Sequence, residues 1–180
     1  MSTATPPGSD SESPSGQPLY AFDIPLSEVA SAPIKGFDTY WQGKGKNGLL
    51  PSREDIDPAE IVPLLPDLVL LNVEWEPSFR CRVRLRGTRA EQFRPIDTTK
   101  YIDKSTIFDP GRREDYMAEM KFVATGKRPA FARDWMTTRF GAVREIFAGI
   151  WPLATDGTNV DMLVVIEDFA GLSLDDFDFQ

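Results

Sequence analysis

The stretch Leu64–Thr88, LLPDLVLLNVEWEPSFRCRVRLRGT, decides the fold. Its first half, Leu68–Glu74, is an almost continuous apolar run. Such a run suits a strand covered on both faces, in the middle of a sheet. Its second half, Phe79–Arg86, alternates without a break. Phe79, Cys81, Val83 and Leu85 take one face; Arg80, Arg82, Arg84 and Arg86 take the other. Strand side chains point to opposite faces with period two, whereas a helix would scatter the arginines around its circumference. Glu76, Pro77 and Ser78 separate the runs, and proline favours a turn there. Gly87 and Thr88 stop the second strand, and Thr88 is able to cap a following helix. The stretch is therefore an antiparallel hairpin.

The four arginines allow two readings. One is a surface for phosphate or nucleic acid. The other is a polar sheet face paired with acidic groups on neighbouring strands or on the acidic C-terminal tail. The formal charge of −8 opposes polyanion binding and favours the second.

The 180 residues suit one domain with extensions. No apolar run approaches the ~20 residues that span a bilayer. The N-terminus lacks the basic-then-apolar pattern of a signal peptide. A single cysteine forms no internal disulfide, which fits a reducing cytoplasm. The sequence contains no histidine. That excludes Ser-His-Asp and Cys-His catalysis, histidine-ligated haem and histidine-ligated zinc. One cysteine also excludes a thiolate cluster. Carboxylate and lysine chemistry remains open, but no spacing points to it.

Outward from the hairpin, residues 1–18 are rich in Ser, Pro, Gly and Thr, and disorder is expected. Leu19–Ala32 carries Tyr20, Phe22, Ile24, Leu26 and Val29 and reads as a segment lying along the domain. Ile34–Gln42 reads as a short helix. GKGKNG, Gly43–Gly48, ends it. That loop misses the phosphate-loop pattern, since Leu49 follows Gly48 and no strand precedes it. Asp57-Pro58 starts a helix of about two turns, which Pro63 and Pro66 limit.

Beyond the hairpin, Thr88–Lys104 suggests short helical turns broken by Pro95. Asp109-Pro110 starts a helix running to Ala124 or Thr125. Tyr116, Met120, Val123 and Ala124 form its apolar stripe, and Gly126 ends it. Three strands follow: Ala130–Thr138, Val143–Leu153 and Val160–Asp168. Asp156-Gly157 marks a hairpin turn before the last. Met162–Ile166 is apolar on both faces, so the last strand is expected beside Leu68–Glu74 at the sheet centre. Acidic Phe169–Gln180 reads as a docked short helix or a partner-binding tail. The reading is an α+β fold: one five-stranded antiparallel sheet with helices packed on one face and a pocket between them. The boundaries are an arm at 1–33, the domain at 34–168 and a tail at 169–180.

This element order resembles the PAS fold. Particular segments strengthen the likeness: LPSREDIDPAEIVPLLPDLVLLNVE at Leu50–Glu74, FRCRVRLRGT at Phe79–Thr88, Trp41, GKRP at Gly126–Pro129, and WPLATDGTNVDMLV at Trp151–Val164. Together, across Phe37–Asp168, they resemble a PAS-like family of short bacterial proteins once described as a domain of unknown function. The resemblance implies a sensory or protein-interaction module, with no established catalysis and no agreed ligand. Flavin-binding light sensors of this fold use a helix-borne cysteine, whereas Cys81 falls on a strand in phase with apolar residues.

Candidate pocket-lining residues are Phe93, Tyr101, Tyr116, Met120, Trp135, Phe147 and Trp151, with a polar contact from Arg133 or Arg128. They would hold a small, largely apolar ligand. The same residues would also serve as ordinary core. The expected function is a non-enzymatic cytoplasmic signalling module. It would bind a signalling partner or itself, as a homodimer through Tyr20–Trp41, with no cofactor, nucleic acid or membrane. The competing readings are a small α+β enzyme using Asp134 or Glu145 as general base, and a nucleic-acid binder using the arginines.

Overall fold

The computed structural model describes residues 20–93, 101–102, 113–138, 140 and 142–176. Six strands form one antiparallel sheet: β1 (Tyr20–Phe22), β2 (Leu68–Glu74), β3 (Arg80–Arg86), β4 (Ala130–Thr137), β5 (Val143–Leu153) and β6 (Met162–Glu167). Their spatial order is β1-β4-β5-β6-β2-β3. The two strands apolar on both faces lie together as expected, with Leu70 opposite Val164. The sheet has six strands instead of five because the N-terminal segment adds its own. Tyr20 pairs with Asp134 and Phe22 with Ala132.

Three α-helices complete the described fold: α1 (Ala32–Lys44), α2 (Thr88–Phe93) and α3 (Arg113–Gly126). The helix expected from Asp57 is instead a pair of 3-10 turns, Pro58–Glu60 and Val62–Asp67. Asp57 still caps the first, accepting from the Ala59 N–H at 2.9 Å. Three prolines in ten residues remove the N–H groups an α-helix would need. GKGKNG closes as a tight turn, with Asn47 and Gly48 both at positive φ. The helix start expected at Asp109 lies outside the described residues.

Strand alternation sorts the core into two layers. Leu71, Val73, Cys81, Val83, Ile150, Leu163 and Val165 meet Met120, Val123 and Ala124 of α3 on one face, called here the inner face. Leu68, Leu70, Phe131, Phe147, Trp151, Leu153, Val164 and Ile166 meet Ile34 and Phe37 of α1 on the other. The cover expected on one face is therefore extended to both. An all-apolar strand makes this inevitable, since either bare face would expose a continuous hydrophobic surface. Burying one such large side chain contributes about 1.5–3 kcal/mol.

Two glycines fit these layers together. A Cβ on Gly149 would sit 2.2 Å from the Trp151 indole, which lies over it. A Cβ on Gly87 would sit 2.1 Å from the Leu65 carbonyl, where the end of β3 passes the second 3-10 turn.

The hairpin departs from strict alternation at one point. Leu70 pairs with Leu85, but Leu71 pairs with Val83, so Arg84 is the extra residue of a β-bulge. Cys81 and Val83 face inward as expected. Leu85 is turned to the α1 side, where it is half exposed. The arginine stripe is broken by the same bulge.

Candidate functional site

The eight residues expected to line one pocket divide between two faces. Tyr116 and Met120 lie on α3 at the inner face. Phe147 and Trp151 belong to the α1-side core. Arg133 stands opposite Phe147, and Trp135 opposite Glu145, so both share that outer face. Phe93 forms a separate cluster with Ile146 and Phe169, stacking on Phe169 at 4.8 Å. Tyr101 bridges to Arg82 at the outer edge of β3 and donates to the Glu74 carboxylate at 3.0 Å. The structure thus brings Tyr116 and Met120 together and carries four candidates to the other side. β5 is apolar in both phases, so its periodicity could not tell the faces apart.

Trp151 and Arg133, of the outer-face candidates, have structural partners. Trp151 is fully buried, and its Nε1 donates to Asp38 Oδ1 at 2.9 Å. Gln42 Nε2 donates to the other oxygen at 2.6 Å. Arg133 lies 4.0 Å from Glu145. Arg128, the other proposed polar contact, is bidentate to Asp23 at 2.6 and 2.7 Å and lies over the Phe122 ring. Its guanidinium is held further above its usual range by the Asp23 carboxylate.

At the inner face, a space of about 20 Å³ is bounded by Tyr20, Tyr116, Glu119, Asp134 and Glu167, with Ala132, Ala148, Ile150 and Val165. That volume holds about one water. Glu119 and Asp134 are buried beside it. Tyr20 donates its hydroxyl to Glu119 at 2.6 Å, and Asp134 accepts from the Trp135 N–H at 2.8 Å. Glu119 is not part of the apolar stripe Tyr116, Met120, Val123 and Ala124, yet it is buried. Its partner Tyr20 is 99 residues away, so no local pattern could have announced the bond.

Asp134 faces this inner space, as a general base would need to. Glu145 does not: it is exposed on the other side. Among the described residues, no group of three or more His, Cys, Asp or Glu is placed to hold a metal ion. Cys81 is buried, and burial pushes its thiol up to about 12. No helix among the described residues is long and apolar enough to cross a membrane.

Three arginines of the stripe are engaged within the chain. Arg80 pairs with Glu74 and lies over the Tyr101 ring at 4.3 Å. Arg82 is 5.8 Å from the same ring. Arg86 donates to the Ala90 carbonyl at 2.7 Å, and burial lowers its pKa against the pull of Glu91 and Glu167.

Among curated proteins, none matches the chain. A solved structure described as an RNA-binding light-oxygen-voltage receptor is 8% identical, with a TM-score of 0.38. The match covers 84% of this chain and 40% of that one. The RNA binding in that description belongs to that receptor. The family profile described as PAS domain matches residues 29–166, from the last turn before α1 to the end of β6. Most of the chain lies within that match, and it takes in α1 as well as five of the six strands. The chain therefore belongs to the PAS domain family.

Proposed function

We propose that this PAS domain is a sensory and protein-interaction module in signalling, cytoplasmic and without catalytic activity of its own. The observation carrying this reading is the family match across residues 29–166. A small ligand near Tyr116 and Met120 would have to push α3 away from the sheet, since the space there holds about one water. Output would pass to a signalling partner or a second copy of the chain.

The route proposed for self-association changes with the fold. Tyr20 and Phe37 are buried against the chain's own sheet, and Trp41 donates to the Pro152 carbonyl at 3.0 Å. The Tyr20–Trp41 segment therefore has little aromatic surface left for a partner. An enzymatic reading through Asp134 gains from its burial. It loses more from the 20 Å³ beside it, which leaves no room for a substrate. Binding of nucleic acid has no support in the charge balance.

Native mass spectrometry of the full chain, at several protein concentrations, tests the proposal. The expected spectrum contains a bound small molecule or a concentration-dependent dimer. A ligand-free monomer throughout, with no partner recovered by cross-linking in cells, would remove it.

A further inference from the structure

On the α1 side of the sheet, a half-open cavity of about 430 Å³ lies between the 3-10 turns and the end of β3. Its floor is Leu68, Leu70 and Val164. Ile61 and Leu65 form one wall, and Leu85 forms the other. The volume falls within the about 300–1,000 Å³ typical of small-molecule sites, and it is some twenty times the inner space.

Two backbone devices build it. The bulge at Arg84 turns Leu85 out of the inner core and into this wall. The missing side chain of Gly87 lets β3 close against the Leu65 carbonyl. Apolar surface faces water at the rim: Val62 is 58% and Leu85 49% exposed. Large apolar side chains clustered at a concave mouth mark a binding site more often than isolated ones do.

The lining is also selective in charge. Among the described residues, Arg53 and Arg86 line the cavity, and no Asp or Glu does. This occurs in a chain carrying eight more negative than positive charges. Arg86 is held by the Ala90 carbonyl and sits near Glu91 and Glu167. Arg53 gives one N–H to the Ile56 carbonyl at 2.9 Å, which leaves most of its five-donor fork for a ligand. We infer that this outer cavity binds a small apolar monoanion, a medium-chain or aromatic monocarboxylate, with its body between Leu70 and Leu85 and its carboxylate on Arg53. The inference does not rest on the signalling reading above. The inner face plays no part in it.

Calorimetric titration of the full chain with decanoate, decanol and decylammonium tests it, with methyl NMR locating the site. Decanoate should bind saturably and shift the Ile61, Leu70 and Leu85 methyls. Decylammonium should bind about tenfold more weakly or worse. Arg53→Gln should weaken decanoate about tenfold and leave decanol unchanged. Val62→Asn, at a rim position already in water, should weaken all three while the melting temperature holds. Lack of saturable binding, equal affinity for anion and cation, or shifts confined to Met120 and Val123 would each overturn the inference. So would an Arg53→Gln variant, folded by circular dichroism, that binds decanoate as tightly as the parent.

Discussion

Trp151 Nε1 and Asp38 Oδ1 lie 2.9 Å apart, and this bond ties β5 to α1 through the middle of the outer core. Asp38 is a buried carboxylate, and its second oxygen is met by Gln42. A buried charge that loses a donor keeps its desolvation cost. Trp151→Phe should therefore destabilise the fold by about 2–4 kcal/mol in urea unfolding. Asp38→Leu in the same cycle should show a coupling of about 1–3 kcal/mol. Additivity within about 0.5 kcal/mol would show that the bond does not couple the layers.

Gly87 permits no side chain, because the Leu65 and Pro66 carbonyls occupy the space a Cβ would take. Both obstacles are backbone, so neither can rotate away. Gly87→Ala should cost about 2–3 kcal/mol. Gly36→Ala, on an open helix position with nothing within 4 Å, is the control and should be neutral or stabilising. Equal melting temperatures for the two variants would contradict the packing described.

Cys81 should be inert in the native protein. Burial raises its thiol from an ordinary 9.0 to about 12. The unfolded chain therefore loses this proton first as pH rises. Below 9.0 both states hold the proton and the group is neutral to stability. Between 9.0 and about 12 the native state binds more protons, so stability falls across that window. At pH 8 a thiol reagent should label Cys81 only as fast as the chain opens. Stoichiometric labelling within minutes, with an unchanged circular dichroism spectrum, would refute this.

Asp67 should behave opposite to a usual salt-bridged carboxylate. Burial raises its pKa; Arg89, at 3.3 Å, pulls it down, while Asp168 and Glu167 push it up again. The net direction is upward, so the native state binds its proton more tightly than the unfolded chain. Stability from this site is present at low pH and is lost as pH rises above the ordinary 3.8 through the raised value. Asp67→Asn should thus hold or raise the melting temperature at pH 7, with the advantage shrinking towards pH 4. A large loss at pH 7 would mean that the Arg89 pair outweighs burial.

Strong periodicity made most of the sheet legible in the sequence. The β2–β3 hairpin, the β4–β5 hairpin and the pairing of β6 with β2 follow from runs long enough to show their phase. The stripe Tyr116, Met120, Val123 and Ala124 on α3 was legible for the same reason. β1 was not: three residues carry no period, and its register depends on β4, over a hundred residues later. The bulge at Arg84 was hidden because Arg84 keeps the apolar–polar alternation while breaking the pairing. The candidate site suffered most. Trp151 and Ile150 are equally apolar neighbours on β5, and only α1 and α3 decide which of them looks inward. Ligand-facing residues cannot be chosen until that decision is made.

The position of β6 has a consequence for how the protein is made. Both hairpins are encoded ahead of Met162, yet neither borders the other in the sheet. Each keeps an open edge until β6 slots between them. Synthesis must pass Glu167 before the two halves become one object, so a stall or nick upstream leaves two sticky ribbons, with aggregation as the outcome to expect.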